Sequence, residues 1–331
     1  MVGANAYSAS TQSGYASHIR AYLLFCLYFD FNPLPGSDVA LSQFFVFQSQ
    51  TVAPQSLQIY CAGIRSFHLD NGFPWLHISA RPGPNRILRG LKRIYGVGAK
   101  PKLAITLEIL AKMRNFLDFS DHNDVNWWAA ALVCFFACLR KDNCTVEKES
   151  SFNSSANLCR GDFGPQLGWS RVLESALWVR IRRSKTNQVR ARVHMVPLMP
   201  VRGSDLCPVT AVVHAFSFFP DTAPGAAPFT QRERNGAPSP LTHGSFVRKL
   251  KSLITYIGMS PDDYSGHSFR IGAATLSFQL TPKHELIKGL GDWASDAYLG
   301  YNRATLQTRC LLPTLMAMHA SRISRASPPR S

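Results

Sequence analysis

The sequence predicts a mainly helical α+β protein with one small β-hairpin, divided between two domains. Apolar residues at helical spacing recur through most of the 331 positions. The stretch from Leu177 to His194 instead alternates between apolar and basic residues, which is typical of two paired strands. The segment Gly96–Lys102 contains two glycines and a proline, so we expect it to link a small helical domain to a larger one.

The composition favours a polyanionic partner. Lys and Arg number 36 against 20 Asp and Glu, a net charge of +16, which points to nucleic acid first and an anionic membrane second. We find no uninterrupted apolar run of about 18 residues, so no transmembrane helix and no membrane partner are expected. The segment Met1–Gly14 lacks the basic start and apolar core of a signal peptide.

The eight cysteines, without a signal peptide, indicate reduced thiols and an intracellular protein. Cys134 and Cys138 stand at helical spacing and no Cys-x-x-Cys is present. Buried packing thiols are therefore favoured over a zinc site.

Four helices are expected in the N-terminal part. The first covers residues 12–30 and the second runs from a Ser37 cap to Phe47. The third opens at Pro54 and stops near Asn71–Gly72. Pro82–Pro84 is expected to break the chain, after which Asn85 caps a short fourth helix.

The fourth helix is amphipathic with a cationic face. Its basic arc consists of Arg86, Arg89, Lys92 and Arg93, and its apolar arc of Ile87, Leu88, Leu91 and Ile94. Such a face is usually only solvated, but no acidic residue occurs from Arg81 to Lys102. We therefore favour a surface that contacts phosphates, to which Lys100 and Lys102 add charge.

The larger part opens with a helix from a Thr106 cap to about Leu117, followed by a strongly apolar helix at Trp127–Leu139. Arg140 stands directly after it, where an arginine either caps helix carbonyls or points into a site from a rigid support. Residues 145–175 are polar and irregular.

A hairpin follows. Leu177, Val179 and Ile181 alternate with Trp178, Arg180 and Arg182, and after the turn Val189, Ala191 and Val193 alternate with Arg190, Arg192 and His194. Lys185 lies at the tip, either as a solubilising turn residue or as a group that reaches into a groove. Further helices are expected from Pro208 and over about Gly244–Gly258.

Chemistry-bearing residues concentrate in Ser265–Arg303. His267 and Arg270 are three apart, so a helix places them on one face. A second helix is expected from near Thr281, with Pro282 at its first position, to near Gly289 or Gly291, followed by Trp293 and Tyr301. Cations beside a tyrosine suggest attack on a phosphodiester, because they favour the phenolate and stabilise charge on the phosphoryl oxygens.

These residues form an ordered set with a family resemblance. In chain order they are A-C-L-R-K-D-N with Arg140, R-S-K-T with Lys185, G-H-S-F-R-I-G-A-A-T with His267 and Arg270, G-D-W-A-S-D-A-Y with Trp293, and L-G-Y-N-R with Tyr301. The set resembles the tyrosine recombinase (phage integrase-like) family over essentially the whole chain. Its L-R-K-x-N and G-x-W-x-S-x-A-Y-x-x-Y forms resemble the recombinases of eukaryotic mobile elements, such as Crypton and DIRS-like elements, and Cre-like enzymes.

The resemblance implies a domain plan and a set of partners. Residues 1–98 would form a helical core-binding (SAM-like) domain, 99–318 the catalytic domain, and 319–331 a basic disordered tail. The partners would be double-stranded DNA and further copies of the chain, as a homotetramer assembled on DNA. No metal or other cofactor is implied, and a eukaryotic member would act in the nucleus.

The resemblance also implies roles for the site residues. Tyr301 would attack the scissile phosphate to form a 3′-phosphotyrosyl link, while Arg140 and Arg270 grip its oxygens. Lys185 would protonate the departing 5′-oxygen and His267 would accept and donate protons. Trp293 would donate its indole N–H or pack the site.

Two departures and two alternatives remain. Asn143 stands where many members carry an acidic residue that orients the first arginine. Tyr298 is a second phenol, but the spacing from Trp293 favours Tyr301 as the nucleophile and Tyr298 as a packing aromatic. A type IB topoisomerase would use the same chemistry without partner exchange, and a catalytically silent, domesticated protein would bind DNA without cleaving it.

Overall fold

The computed structural model describes residues 7, 9–96, 100–165, 176–182, 194–232, 236–293 and 295–301. The chain divides into two compact units, Met1–Pro101 and Lys102–Ser331. The predicted fold class is confirmed: the described chain is mostly helical and has a small antiparallel sheet. No helix among the described residues is both long and apolar enough to cross a membrane.

The first unit is a helical bundle. Its helices are α1 (Ala9–Tyr28), α2 (Asp38–Gln48), α3 (Pro54–Asp70) and α4 (Pro82–Tyr95). The apolar stripes of these helices meet in a core that contains Tyr22, Phe44, Phe45 and Leu57. The predicted Ser37 cap is confirmed, since its Oγ accepts a hydrogen bond from the Ala40 amide at 3.1 Å.

Helix α4 differs from the predicted helix in two ways. The helix begins at Pro82, after Arg81, and not at Asn85. Prolines fit this first turn because its amides have no intrahelical acceptor and the ring already fixes a helical φ. Ile94 was assigned to the apolar face but is 70% exposed, because the helix passes beyond the core before its last turn.

The second unit is built around one buried helix. Its helices are α5 (Leu107–Arg114), α6 (His122–Phe136), α7 (Lys141–Cys144), α8 (Pro208–Ser217), α9 (His243–Tyr256), α10 (Ser268–Leu280) and α11 (His284–Leu290), and a 3₁₀ helix covers Asp296–Tyr301. Every residue of α6 from Asp124 to Phe135 is buried, and α8 and α10 pack against this helix.

Helix α6 differs from the expected Trp127–Leu139 at both ends. It begins five residues earlier, because the Asp121 carboxylate accepts the Asp124 amide at 3.0 Å and caps it. It ends at Phe136, and Cys138 has a φ of 51°. A left-handed residue cannot continue the helix, so the chain turns sharply before Arg140.

The sheet contains one more strand than expected. Strand β1 (Phe163–Pro165) pairs antiparallel with β2 (Leu177–Ile181), which pairs antiparallel with β3 (His194–Leu198). Strand β1 lies in the stretch predicted to be irregular, because three residues are too few to show alternation. The return strand was placed at 189–194, whereas the described pairing runs from His194 to Leu198.

The alternation in β2 is confirmed: Leu177, Val179 and Ile181 are buried, whereas Arg180 is exposed. The hairpin tip, with Lys185 and Arg190, lies outside the described residues. A second, minimal sheet joins β4 (Thr230–Gln231) and β5 (Ser239–Pro240) antiparallel. It lies within the proline- and glycine-rich stretch that precedes α9.

Helix α10 packs unusually closely against its neighbours. A Cβ on Gly272 would stand 1.8 Å from the carbonyl oxygen of Ile105. The Ile105 amide in turn donates to the Ser268 carbonyl at 3.0 Å. Glycine at 272 therefore lets the segment before α5 lie directly on α10. This contact fixes the position of α10 and of His267 at its start.

Helix α11 begins at His284 and not near Thr281, which corrects the expected start. Thr281 precedes a proline, and a proline disfavours the helical conformation in the residue before it. Thr281 is accordingly extended, with φ −149° and ψ 139°, and caps the end of α10. The predicted stop near Gly289 or Gly291 is confirmed, since Gly291 caps α11.

Candidate active site

Arg140 sits on a tight turn between α6 and α7. Its backbone is extended and forms the N-cap of α7. The Asn143 side-chain oxygen accepts the Arg140 amide at 3.2 Å. Asn143, which stands where an acidic residue was expected to orient the arginine, thus fixes the backbone that presents Arg140. The Arg140 side chain is partly exposed.

Arg270 is the most enclosed charged group in this region, with 2% of its surface exposed. It lies in the first turn of α10. Its Nη1 donates to the Cys138 carbonyl and its Nη2 donates to the Gly291 carbonyl at 2.7 Å. The guanidinium carbon lies 4.1 Å from the centroid of the Trp293 ring. Two carbonyls and one aromatic face therefore fix the plane of the guanidinium.

Trp293 reaches that position because the chain folds back after α11. Its amide donates to the Lys288 carbonyl at 3.1 Å. A Cβ on Gly291 would lie 2.0 Å from the indole ring, so the turn requires glycine. Asp292 adopts a φ of 51°, which completes the reversal. The G-D-W triplet thus supplies both a carbonyl and a ring to Arg270.

His267 is the N-cap of α10 and is partly buried. Burial, together with the positive charges of Arg270 and Arg140, lowers the pKa of its imidazole to about 4, with Asp142 opposing the shift. His267 is therefore neutral at pH 7 and close enough to both arginines to respond to their charge. A Cβ on Gly266 would lie 2.4 Å from the Lys141 side chain, so the starts of α7 and α10 are in contact.

The Cys138 thiol is also close enough to Arg140 and Arg270 to respond to their charge. Burial raises the pKa of its thiol to about 11, while Arg270 and Arg140 oppose the rise. The structure thus brings four of the predicted residues to one place: Arg140, His267, Arg270 and Trp293. A pair of guanidinium groups beside a neutral imidazole favours a bound anion, and a planar guanidinium fork fits the oxygens of a phosphate.

Tyr298 and Tyr301 are the two phenols that follow Trp293 in the sequence. Tyr298 is 5% exposed and packs against Trp293 at 5.8 Å and Phe278 at 5.9 Å between ring centroids, so its prediction as a packing aromatic is confirmed. Residue 301 ends the 3₁₀ helix Asp296–Tyr301. The Tyr301 side chain, like Lys185, lies outside the described part of the structure.

The predicted DNA-contact residues fall into three groups. The four basic residues of α4, together with Lys100, are exposed: Arg86, Arg89, Lys92 and Arg93. Lys102 is also exposed, although its Nζ donates to the Asp262 carbonyl at 2.5 Å. Arg182 forms a salt bridge of 2.6 Å with buried Asp162 and keeps about a third of its side chain exposed (34%). Arg190 lies outside the described residues.

Sequence reasoning missed a basic cleft in the first unit. A cavity of about 460 Å³ is lined by residues of α3 and α4, among them Arg65, Arg89 and Lys92 together with Cys61 and Leu88. Trp75 and His77 also line it. The missed signal is Arg65, an exposed cation on α3 that only the packing of α3 against α4 brings beside the basic face.

The thiols show no sign of a metal centre where they are described. Cys134 and Cys144 are buried in mutual contact, and this contact and burial raise the pKa of Cys134. Among the described residues no three His, Cys, Asp or Glu side chains are grouped so that they could hold a metal ion. All the described cysteines are buried and unpaired by disulfides.

Comparison with known proteins gives matches in structure only. No family model matches the chain, and no curated protein matches it in sequence. Among solved structures, a XerH site-specific recombinase bound to a palindromic difH substrate in a post-cleavage complex matches with a TM-score of 0.55 and 15% identity, over 82% of this chain and 70% of that one.

Two further structures match over most of both chains. A lambda integrase dimer bound to a COC′ core site has a TM-score of 0.57 and 12% identity, over 91% of each chain. A Tn1549 transposon integrase in complex with circular intermediate DNA has a TM-score of 0.57 and 13% identity, over 94% of this chain and 95% of that one. At these identities the likeness is one of fold, and the chain has the fold of these recombinases and integrases.

Proposed function

We propose that the protein is a site-specific DNA recombinase or integrase that cleaves and rejoins DNA through a 3′-phosphotyrosyl intermediate. The observation on which the proposal rests is the fixed Arg270 guanidinium with Arg140 and His267 in electrostatic contact. The segment that ends at residue 301 starts three residues after Trp293, whose ring lies on Arg270. Tyr301, the proposed nucleophile, is thus only eight residues along the chain from Trp293, the ring that orients the Arg270 guanidinium.

The proposed reaction is a pair of phosphoryl transfers that conserves bond energy. The Tyr301 phenol oxygen attacks the scissile phosphorus, a P–O bond to tyrosine forms, and the bond to the 5′-oxygen breaks. Lys185 gives a proton to that oxygen, which leaves as a 5′-hydroxyl. In the second transfer a 5′-hydroxyl attacks the phosphotyrosine and the phenol leaves. Neither step requires a cofactor.

Arg140 and Arg270 have the role of stabilising charge on the phosphate. Two guanidinium groups oppose the negative charge that grows on the non-bridging oxygens as the phosphorus becomes five-coordinate. Arg270 is held by two carbonyls and a ring, so little reorganisation is needed when the phosphate arrives. Trp293 packs against Arg270 and in this role supports its orientation.

His267 has the role of proton acceptor for the attacking phenol. An acceptor must be neutral, and the lowered pKa keeps the imidazole neutral at pH 7. A bound phosphate carries negative charge, which raises the pKa of a neighbouring imidazole. Proton acceptance by His267 is thus favoured when DNA occupies the site and disfavoured in the free protein.

Double-stranded DNA is the proposed partner, and the contact surfaces are basic. In the first unit they are the α4 face, the cleft beside Arg65 and Lys100. In the second unit they are Lys102 and Arg182, with Arg190 as a further contact. The three similar structures described above are a recombinase bound to its difH substrate, an integrase dimer bound to a core site and a transposon integrase in complex with circular intermediate DNA. These support DNA as the partner here.

We assign residues 1–98 to a core-binding domain, 99–318 to the catalytic domain and 319–331 to a basic tail. A tetramer assembled on two duplexes would supply the strands that are exchanged. The L-R-K-x-N and G-x-W-x-S-x-A-Y-x-x-Y forms favour a mobile-element recombinase of the Crypton or DIRS type. A DNA substrate implies action inside the cell, in the nucleus of a eukaryotic host.

The proposal predicts that the protein forms a covalent adduct with a nicked suicide duplex. The duplex carries the target sequence, which is taken from the repeats that flank the gene. Wild-type protein is expected to form the adduct, and Tyr301→Phe is expected to form none while it still binds the duplex. Denaturing gel electrophoresis of end-labelled DNA measures the adduct. Tyr256→Phe is the matched control, because Tyr256 is 61% exposed on α9, and it should give the wild-type yield.

Other outcomes of the same assay separate the alternatives. Duplex binding without any adduct by the wild-type protein would favour a silent DNA-binding protein. Adduct formation with relaxation of supercoiled DNA but no strand exchange would favour topoisomerase activity. An undiminished adduct in Tyr301→Phe would contradict the assignment of the nucleophile.

The charge cluster predicts the titration of His267. In the free protein its imidazole should titrate near pH 4, and Arg140→Gln should raise the midpoint because one repelling positive charge is removed. NMR of ¹³C-labelled histidine measures it, with His267→Gln for assignment. Arg248→Gln, which removes an exposed cation on α9, should leave the midpoint unchanged. A wild-type midpoint near the ordinary value of about 6.5 would contradict the burial of the imidazole, and an unchanged midpoint in Arg140→Gln would contradict the charge cluster.

The basic cleft predicts how the first unit binds DNA. Arg89→Ala combined with Lys92→Ala should weaken duplex binding at all sequences and reduce the slope of log affinity against log salt by about one per lost phosphate contact. Fluorescence anisotropy across a salt series measures both quantities. Arg20→Ala removes an exposed cation from α1 of the same unit and is the control. An equal loss in Arg20→Ala would mean that net charge, and not this cleft, determines affinity.

A further inference from the structure

The segment that carries the proposed nucleophile has a single buried anchor. The 3₁₀ helix covers Asp296–Tyr301. Of the described side chains from Ser295 to Gly300, Tyr298 alone is buried, and the others are exposed. A short 3₁₀ helix has little stability of its own, so the packing of this one ring determines where the helix lies.

Tyr298 is held in three ways. Its ring stacks on Phe278 of α10, with 5.9 Å between centroids and planes within 4°. It also contacts Trp293, the ring that lies on Arg270. Its phenol oxygen is 3.1 Å from Nδ1 of His284 on α11, a hydrogen bond in which either group can donate. Ring stacking and the hydrogen bond together fix both the depth and the rotation of the helix.

Helix α11 provides a second, weaker contact on the same face. Lys288 follows His284 by four residues, and its Nζ lies 3.4 Å from the Asp296 carboxylate at the start of the 3₁₀ helix. Both partners are solvated, so this ion pair adds little by itself. The two contacts nevertheless align the 3₁₀ helix with α11, because residues four apart share one face of a helix.

We propose that Tyr298 is a positioning residue that sets the place of the attacking tyrosine, with His284 as its hydrogen-bonding partner. Residue 301 follows Tyr298 by three positions, one 3₁₀ turn further along the same helix. Release of the Tyr298 ring would free that helix from Trp293 and so separate residue 301 from the arginine that orients the phosphate. The inference rests on the proposed function and assigns no part in the chemistry to Tyr298.

The test combines a readout that needs no DNA with one that does. Hydrogen exchange of the backbone amides of 296–301 in the free protein measures anchoring. Tyr298→Ala should speed this exchange about tenfold or more, because truncating a buried aromatic ring removes the packing that opposes opening. Tyr298→Phe keeps the ring and loses one hydrogen bond, so its exchange should rise about two- to tenfold, as should that of His284→Ala.

The matched control is Leu299→Ala on the same helix. Leu299 is 45% exposed, so its truncation should change the exchange by less than about twofold. Unchanged exchange in α6, the buried core helix, shows in each variant that the second unit remains folded.

The second readout is the rate of adduct formation on the suicide duplex. At saturating DNA the rate should fall in the order Leu299→Ala, Tyr298→Phe, Tyr298→Ala, while the DNA concentration for half-saturation stays at the wild-type value. A merely structural role would change both quantities or neither. Fast exchange in Tyr298→Ala with a wild-type adduct rate would overturn the inference, and so would unchanged exchange.

Failure of the proposed function gives a different result. If the wild-type protein forms no adduct, the recombinase proposal fails and residue 301 is not a nucleophile, whereas the exchange measurements still decide whether Tyr298 anchors the helix. If the wild-type protein forms the adduct and Tyr298→Ala reacts equally fast, only the positioning role fails.

Discussion

The candidate site depends on the placement of one guanidinium. Arg270 loses nearly all contact with water, and burying a charge is costly unless its donors find acceptors. Two carbonyls, at Cys138 and Gly291, accept from its two terminal nitrogens, and the Trp293 ring covers one face. These three groups come from the end of α6, the end of α11 and the turn after it. Arg270 therefore holds the start of α10 against two segments that are far from each other in the sequence: the turn after α6 and the end of α11.

Cys138, with its positive φ, and two glycines near the site let the backbone and the indole ring reach Arg270 and its helix. Cys138 turns the chain after α6 so that its carbonyl faces Arg270, and Gly291 lets the indole fold back over the guanidinium. Gly272 lets α10 lie against the Ile105 backbone. Each of these positions would resist a larger or less permissive residue for a steric reason. The electrostatic consequence is a neutral His267 whose pKa is lowered by burial and by the charges of Arg270 and Arg140, a shift that a bound anion would oppose.

Much of the fold was predictable because the helices are long and carry clear apolar stripes. The fold class, the Ser37 and Thr106 caps and the buried face of β2 followed from spacing and capping residues. Errors fell at element ends and in short elements. Proline was treated as a break before α4 although it fits a first turn, and β1 is too short to alternate. The stop of α6 depends on a cysteine with positive φ, which no spacing pattern reveals.

The candidate site was predictable in identity more than in arrangement. The motif order singled out Arg140, His267, Arg270 and Trp293, and the structure brings them together. Sequence could not show that Arg270 is held by backbone carbonyls, since a carbonyl belongs to every residue. It also assigned Tyr298 only as packing, because its contacts with Phe278 and His284 form through the turn between α10 and α11.

The most direct measurement compares Arg270→Lys with the wild-type protein in adduct formation and in duplex binding. Lysine keeps the charge but lacks the planar fork that reaches both carbonyls. The account predicts that the rate of adduct formation falls by about 100-fold or more, as for the loss of one donor to a charged transition state, while duplex affinity changes little at a temperature where the variant is still folded. An Arg270→Lys protein that is folded and forms the adduct at a rate within a few-fold of wild type would contradict it.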